Sequence, residues 1–86
     1  MSDRLIVKMF AGAREQVRSD SVEIEVELPI SVQKLKEAIA SQFESARFLV
    51  EFSRIAIDNE FAIDSHVIDS MQKQSVIALI PPVSGG

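Results

Sequence analysis

Polar and apolar positions alternate without a fault over residues 22–28 (VEIEVEL). Val22, Ile24, Val26 and Leu28 share one face, and Glu23, Glu25 and Glu27 the other. A period of two is the pattern of a half-buried strand with a solvated acidic face. Residues 4–10 (RLIVKMF) are dense in branched and aromatic side chains and predict a strand before it. Between them, AGAREQ (11–16) is small and polar and reads as a loop or a short helical turn. The two strands therefore form a wide hairpin. Pro29 ends the second strand, and Ser31 stands where it can cap a helix. No capping box follows, because the position three residues on is Lys34. Apolar residues then fall at Val32, Leu35, Ala38, Ile39 and Phe43, one helical stripe, while Gln33, Lys34, Lys36, Glu37 and Ser41 face water. The helix is expected to run to about residue 44.

Residues 45–53 carry Phe48, Leu49, Val50 and Phe52 and read either as a short strand or as a packed connection. Arg54 to Asp58 predicts a strand, with Asp58-Asn59-Glu60 as a turn. Residues 61–73 mix their signals and predict a short strand followed by loop. Ser75 to Ile80 (SVIALI) is a continuous apolar run, which suits a central strand covered on both faces. Pro81 and Pro82 stop it. One helix over one mixed sheet is the simplest way to bury these faces. With the first and last strands as neighbours, the expected fold is α+β, a β-grasp (ubiquitin-like) domain over residues 1–80 with an extended tail over 81–86.

Length and composition narrow the picture. The chain has 86 residues, 47% of them apolar, and no cysteine. One small domain has to hold itself together without disulfides or thiolate metal sites. Nine Lys/Arg against thirteen Asp/Glu give a net charge of −4, with no basic cluster. Nucleic acid and anionic membranes are thereby poor partners. No apolar run reaches the length of a membrane span, and Lys8 interrupts the short run near the N-terminus. A cytoplasmic protein is expected.

Side-chain chemistry is scarce. His66 is the single histidine. Ser65, His66 and Asp69 lie within five residues, whereas triad members meet across a fold, so they read as a polar loop. Asp58, Glu60, Asp64 and Asp69 lack calcium-loop spacing and its turn glycine, and no metal site is expected. The glycines stand at 12, 85 and 86, which leaves no phosphate-cradling loop.

The chain end is different. A strand runs into Pro81-Pro82, which favour a stiff extended backbone. Val83 and Ser84 follow, then Gly85 and Gly86. Without a Cβ, glycine lets the backbone enter a slot too narrow for other residues. The Gly86 carboxyl group has no side chain beside it to block attack. This is the design of a delivery arm.

The end IALIPPVSGG resembles the small, sulfur-carrier subunit of molybdopterin synthase (the MoaD family). MFAGARE (9–15) is similar to that family's first strand and turn. The helix, the RIAIDNE segment (54–60) and the last strand follow in its order. The chain departs from the family at the turns 72–75 and 58–59. The resemblance implies that an ATP-using, ubiquitin-activating-like adenylyltransferase converts the Gly86 carboxylate to an acyl-adenylate. A sulfur donor protein then leaves a thiocarboxylate at Gly86. The tail, Pro81 to Gly85, threads into the large catalytic subunit, in a heterotetramer of two small and two large subunits. There the sulfur attacks cyclic pyranopterin monophosphate to build the molybdopterin dithiolene. This chain is then the sulfur-donating subunit of a sulfurtransferase, with no catalytic side chain and no bound cofactor of its own. Phe10, Arg14 and Ile80 match partner-facing positions, although Phe10 also suits a core site. The alternatives are a sulfur carrier for thiamine thiazole synthesis, a ubiquitin-like protein modifier joined through Gly86, or a plain binding module.

Overall fold

The computed structural model describes residues 3–82. Strand β1 (Asp3–Met9) leads through helix α1 (Ala11–Val17) into strand β2 (Ser21–Val26). The short strand β3 (Ile30–Ser31) opens onto helix α2 (Val32–Gln42). A 3₁₀ turn (Glu44–Ala46) and helix α3 (Arg47–Glu51) follow, then strands β4 (Arg54–Ile57), β5 (Glu60–Ala62) and β6 (Val67–Ile68). A second 3₁₀ turn (Ser70–Gln72) precedes the last strand, β7 (Ile77–Ile80).

Five strands form one sheet in the order β2-β1-β7-β4-β5, and β3 pairs with β6 apart from it. β1 runs parallel to β7, and the other pairs are antiparallel. This is the β-grasp arrangement expected from the sequence: two hairpins flank a helical crossover, with the first and last strands as neighbours. α1 fills the connection of the first hairpin, so the short helical turn is the correct reading of residues 11–16. It ends at Arg18 in the left-handed region (φ 59°), where the Arg18 N–H donates to the Arg14 carbonyl at 2.8 Å.

Alternation decides the core. Leu5, Val7 and Met9 of β1, Ile24 and Val26 of β2, Ile55 and Ile57 of β4, and Ile77 and Leu79 of β7 point to one side and are buried. Val32, Leu35, Ile39 and Ala40 of α2 close over them, joined by Ala13, Ala46 and Val50. Fully burying one such aliphatic side chain contributes about 1.5–3 kcal/mol, so this layer is the main support of a small fold.

The start of α2 shows where its free backbone donors go. The Val32 N–H donates to the His66 carbonyl at 2.8 Å, and the Gln33 N–H to that of Asp64 at 3.0 Å. Ser31 Oγ accepts from the Lys34 N–H at 3.1 Å, the cap the sequence suggested. The loop around His66 thus serves the fold through its backbone.

Three readings need correction. α2 stops at Gln42, two residues short of the expected end, because Phe43 leaves helical geometry (φ −125°, ψ 74°). Residues 44–51 are helical, so the strand reading fails and the packed connection, with Ala46 and Val50 buried, is made of a 3₁₀ turn and a short helix. Two hydrogen bonds of 2.9 and 3.1 Å from Arg47 to Glu44 tie their start, and Ser53 Oγ donates to the Leu49 carbonyl at their end (2.7 Å). The Arg47 guanidinium holds the Glu44 carboxyl below its ordinary pKa. Finally, β7 is central and begins only at Ile77, and its outer face is covered in part. Ala78 is buried at 8% exposure, whereas Val76 ahead of the strand and Arg4, Ile6 and Lys8 of β1 and Phe61 of β5 on that face are exposed.

The Asp58-Asn59 turn was legible. Both residues have positive φ (50° and 70°), as a two-residue hairpin turn demands. Asp58 Oδ1 accepts from the Val76 N–H at 2.8 Å, which fastens this turn to the entry of β7.

Two substitutions test this layering by chemical denaturation. Leu35→Ala should cost about 2–5 kcal/mol of unfolding free energy as a core cavity. Ser31→Ala should cost about 1 kcal/mol through the lost cap.

Candidate functional site

The region of interest is the place where the chain leaves the sheet. β7 is hydrogen-bonded on both sides, with Val7↔Ile77, Lys8↔Ala78 and Met9↔Leu79 toward β1. Toward β4 the partners are Ile57↔Ile77, Ala56↔Ala78, Ile55↔Leu79 and Arg54↔Ile80. The strand ends at Ile80, Pro81 is buried and Pro82 is exposed. The prolines fit here because they carry no N–H to offer a further ladder. Val83, Ser84, Gly85 and Gly86, the residues on which the sequence reading placed the chemistry, lie outside the described residues.

Around this exit the sequence-predicted partner residues do gather. Met9 pairs with Leu79, so Phe10 and Ile80, which follow them, lie at the same end of the sheet. Phe10 is 45% exposed, which favours the surface over the core. Its carbonyl accepts the N–H groups of Ala13 and Arg14 at the start of α1. The Arg14 guanidinium is exposed and lies 3.6 Å from Asp20. Ile80 is half-buried.

The sheet's open face continues from there. Ile6 and Phe61 are exposed, Ala78 and Ala56 form a floor of small residues, and the Arg54 guanidinium stands 5.1 Å from the centroid of the Phe61 ring. The face therefore mixes apolar side chains with the cations of Arg4, Lys8 and Arg54. At the far edge Arg4 reaches Glu23 at 3.7 Å, so part of the acidic ladder is engaged across the hairpin. Sequence reasoning missed Ile6 and Phe61 as surface residues. The signal existed: Ile6 is out of phase with Leu5, Val7 and Met9, and only one parity of a strand can face the helices.

Neither side chain of the His66 region builds a catalytic site. His66 Nε2 lies 3.5 Å from Gln72 Nε2, and Asp69 accepts from the Met71 N–H at 2.9 Å. Among the described residues no group of three His, Asp or Glu side chains is placed to hold a metal ion. No helix among them is long and apolar enough to cross a membrane.

Comparison with known proteins places this geometry. A model of the ThiS family matches residues 7–86. SAMP1 of Haloferax volcanii superposes with a TM-score of 0.78 at 21% identity, covering 98% of this chain and 100% of that one. A protein described as molybdopterin converting factor subunit 1 from Pyrococcus furiosus gives 0.75 at 24% identity, covering 93% and 98%. In the complex of subunits 1 and 2 of molybdopterin-converting factor from Helicobacter pylori, the matched chain gives 0.62 at 20% identity, covering 98% and 100%. A comparison with curated proteins finds no match. The fold is ubiquitin-like, shared by carriers and modifiers.

If the face is open as described, Ile6→Ala and Phe61→Ala should each change unfolding free energy by less than about 1 kcal/mol. Leu79→Ala, one strand position inward, should cost about 2–5 kcal/mol. Denaturant titration of the three variants makes the comparison.

Proposed function

The chain belongs to the ThiS family, and from that premise we propose that it is the sulfur-carrying small subunit of a molybdopterin synthase. One observation carries the reading. The segment Pro81-Pro82-Val83-Ser84-Gly85-Gly86 follows a strand held on both sides, and it closes on two glycines, so no side chain stands beside the Gly86 carbonyl carbon.

The chemistry follows from what a carboxyl group can do. Its ordinary pKa is about 3.5, so at neutral pH it is an anion and a poor electrophile. A carboxylate oxygen of Gly86 attacks the α-phosphorus of ATP on the activating enzyme, and pyrophosphate leaves. The terminal sulfur of a donor-protein persulfide then attacks the acyl carbon of the adenylate and AMP leaves; a second thiol cleaves the resulting acyl disulfide, taking the donor sulfur into a disulfide, and a thiocarboxylate remains at Gly86. That sulfur is the nucleophile delivered to cyclic pyranopterin monophosphate, and two deliveries complete the dithiolene. The carrier contributes placement, a covalent handle of the group-carrier kind. Catalytic side chains belong to its partners.

The partner surface in this reading is the open sheet face near the exit, with Phe10, Arg14 and Ile80 extended by Ile6 and Phe61. The large subunit docks there and takes Gly85-Gly86 into its active site, in a heterotetramer of two small and two large subunits in the cytoplasm. The likeness to SAMP1 favours a second reading, a modifier joined to lysines through Gly86. The family itself keeps a thiazole-forming carrier in view.

Incubation with ATP, the activating enzyme and a sulfur donor, followed by intact mass measurement, should show one oxygen replaced by sulfur. Deletion of Gly86 should abolish the exchange and leave thermal unfolding unchanged. No mass change in the wild-type chain would reject the carrier reading. Adding the large subunit and the pyranopterin precursor should release dithiolene product; conjugates on other proteins would favour the modifier instead, and thiazole product the third carrier.

A further inference from the structure

Helix α3 spends its apolar residues in an unusual way. Its buried position goes to Val50, while Phe48 and Phe52, the residue that follows its last turn, are 76% and 61% exposed. Four residues apart, they share one face of the turn, with ring centroids 4.9 Å apart and planes tilted by 49°. With Leu49 and Pro82 they line an open cleft of about 250 Å³ that no charged side chain enters. Scattered apolar residues on a surface need no explanation, but a contiguous aromatic ledge marks a contact site.

We propose that this ledge is a second docking surface for the large subunit that receives sulfur from Gly86. The proposal rests on the carrier reading above. Its first support is distance. Gly86 is the fourth residue beyond Pro82, and four residues span at most about 14 Å when fully extended. A protein that closes around the Gly86 carboxyl lies within that distance of Pro82 and covers what lines the chain there. Its second support is continuity. Pro82 borders the ledge on the helical side of the exit, and Ile80 borders the open sheet face on the other. A partner that takes up the tail meets both.

The choice between the two enzymes that handle Gly86 follows from composition. The sheet face, which the large subunit also covers in this reading, interrupts its apolar residues with Arg4, Lys8 and Arg54. Long-lived interfaces between subunits are larger and more apolar. The activating enzyme has to release its product, whereas the large subunit holds the carrier as part of one assembly. An uncharged ledge adds apolar area where the longer-lived complex needs it, and it fits an aliphatic or aromatic rim on that subunit.

The test compares the wild-type chain with Phe48→Ala/Phe52→Ala. Both side chains are exposed, so thermal unfolding should change little; Phe48→Ala alone gives the same comparison should the double variant lose stability. Thiocarboxylate formation by the activating enzyme, followed by intact mass, should be unchanged. Affinity for subunit 2 of molybdopterin-converting factor from the same organism, measured by calorimetry, should fall about tenfold or more. Unchanged affinity overturns the proposal. Slower thiocarboxylation with unchanged affinity would transfer the ledge to the activating enzyme, and loss of self-association in ultracentrifugation would transfer it to a second copy; either overturns it. A wild-type chain that gains no sulfur rejects the carrier reading instead, and the calorimetric comparison still reports on the ledge.

Discussion

Everything about the exit of this chain depends on β7 being paired on both sides. A strand in the middle of a sheet is held by two ladders, parallel to β1 and antiparallel to β4, and it cannot shift register without breaking both. Ile77 and Leu79 point into the core at 1% and 0% exposure, so a slip by one residue would also turn them out to water. The position and direction of Pro81 are therefore fixed by the most constrained strand of the fold. An edge strand would have left the exit free to fray. In the carrier reading proposed above, that constraint converts the stability of the whole domain into aim.

The same sheet divides the molecule into a structural side and a contact side. Alternation sends Leu5, Val7 and Met9 under α2, and Arg4, Ile6 and Lys8 to the open face. Nothing on either side forms an enclosed reactive pocket among the described residues. Polar groups with a chemical look are occupied by the fold: Asp58 binds the backbone of Val76, and Asp69 caps its own 3₁₀ turn. In the proposed reading a ubiquitin-like domain of this kind works by being recognised, through the surfaces that flank the stem of the tail.

Much of this was legible in the sequence, for identifiable reasons. The strand expected at 22–28 announced itself by strict period two, although β2 runs Ser21–Val26 and ends before Pro29; the cap at Ser31 was signalled by its place after Pro29, and the Asp58-Asn59 turn by residues that tolerate positive φ. Those signals are local. What was lost depends on tertiary context. Residues 44–51 form one short turn of helix, too short for a helical period to emerge, and Phe48, Leu49 and Val50 look alike in sequence. Only packing against α1 and α2 separates buried Val50 from exposed Phe48. The run 75–80 was apolar on both parities, and reading it as covered twice assumed that apolar means buried. In the fold one parity is core, and the other is covered only in part, with Ala78 buried and Val76 exposed. At the candidate site the surface around the tail was not legible, because Ile6, Phe61, Phe48 and Phe52 come from β1, β5 and the end of α3, three places far apart in the chain.

That misreading has a physical lesson about small carriers. A side chain exposed in both folded and unfolded states neither adds to nor subtracts from folding stability by burial, so the core of a chain of 86 residues is undisturbed by apolar residues kept outside it. Their cost is collective: exposed aromatic patches promote association. The net charge of −4, with acidic residues lining the β2 edge of the sheet, opposes contact between copies. Apolar surface can then be carried openly on the sheet and on α3, available to a partner and guarded by charge against the chain's own kind. The acidic face of β2, the plainest pattern in the sequence, thus has a place in the functional argument after all: it lets the surfaces around the exit remain apolar.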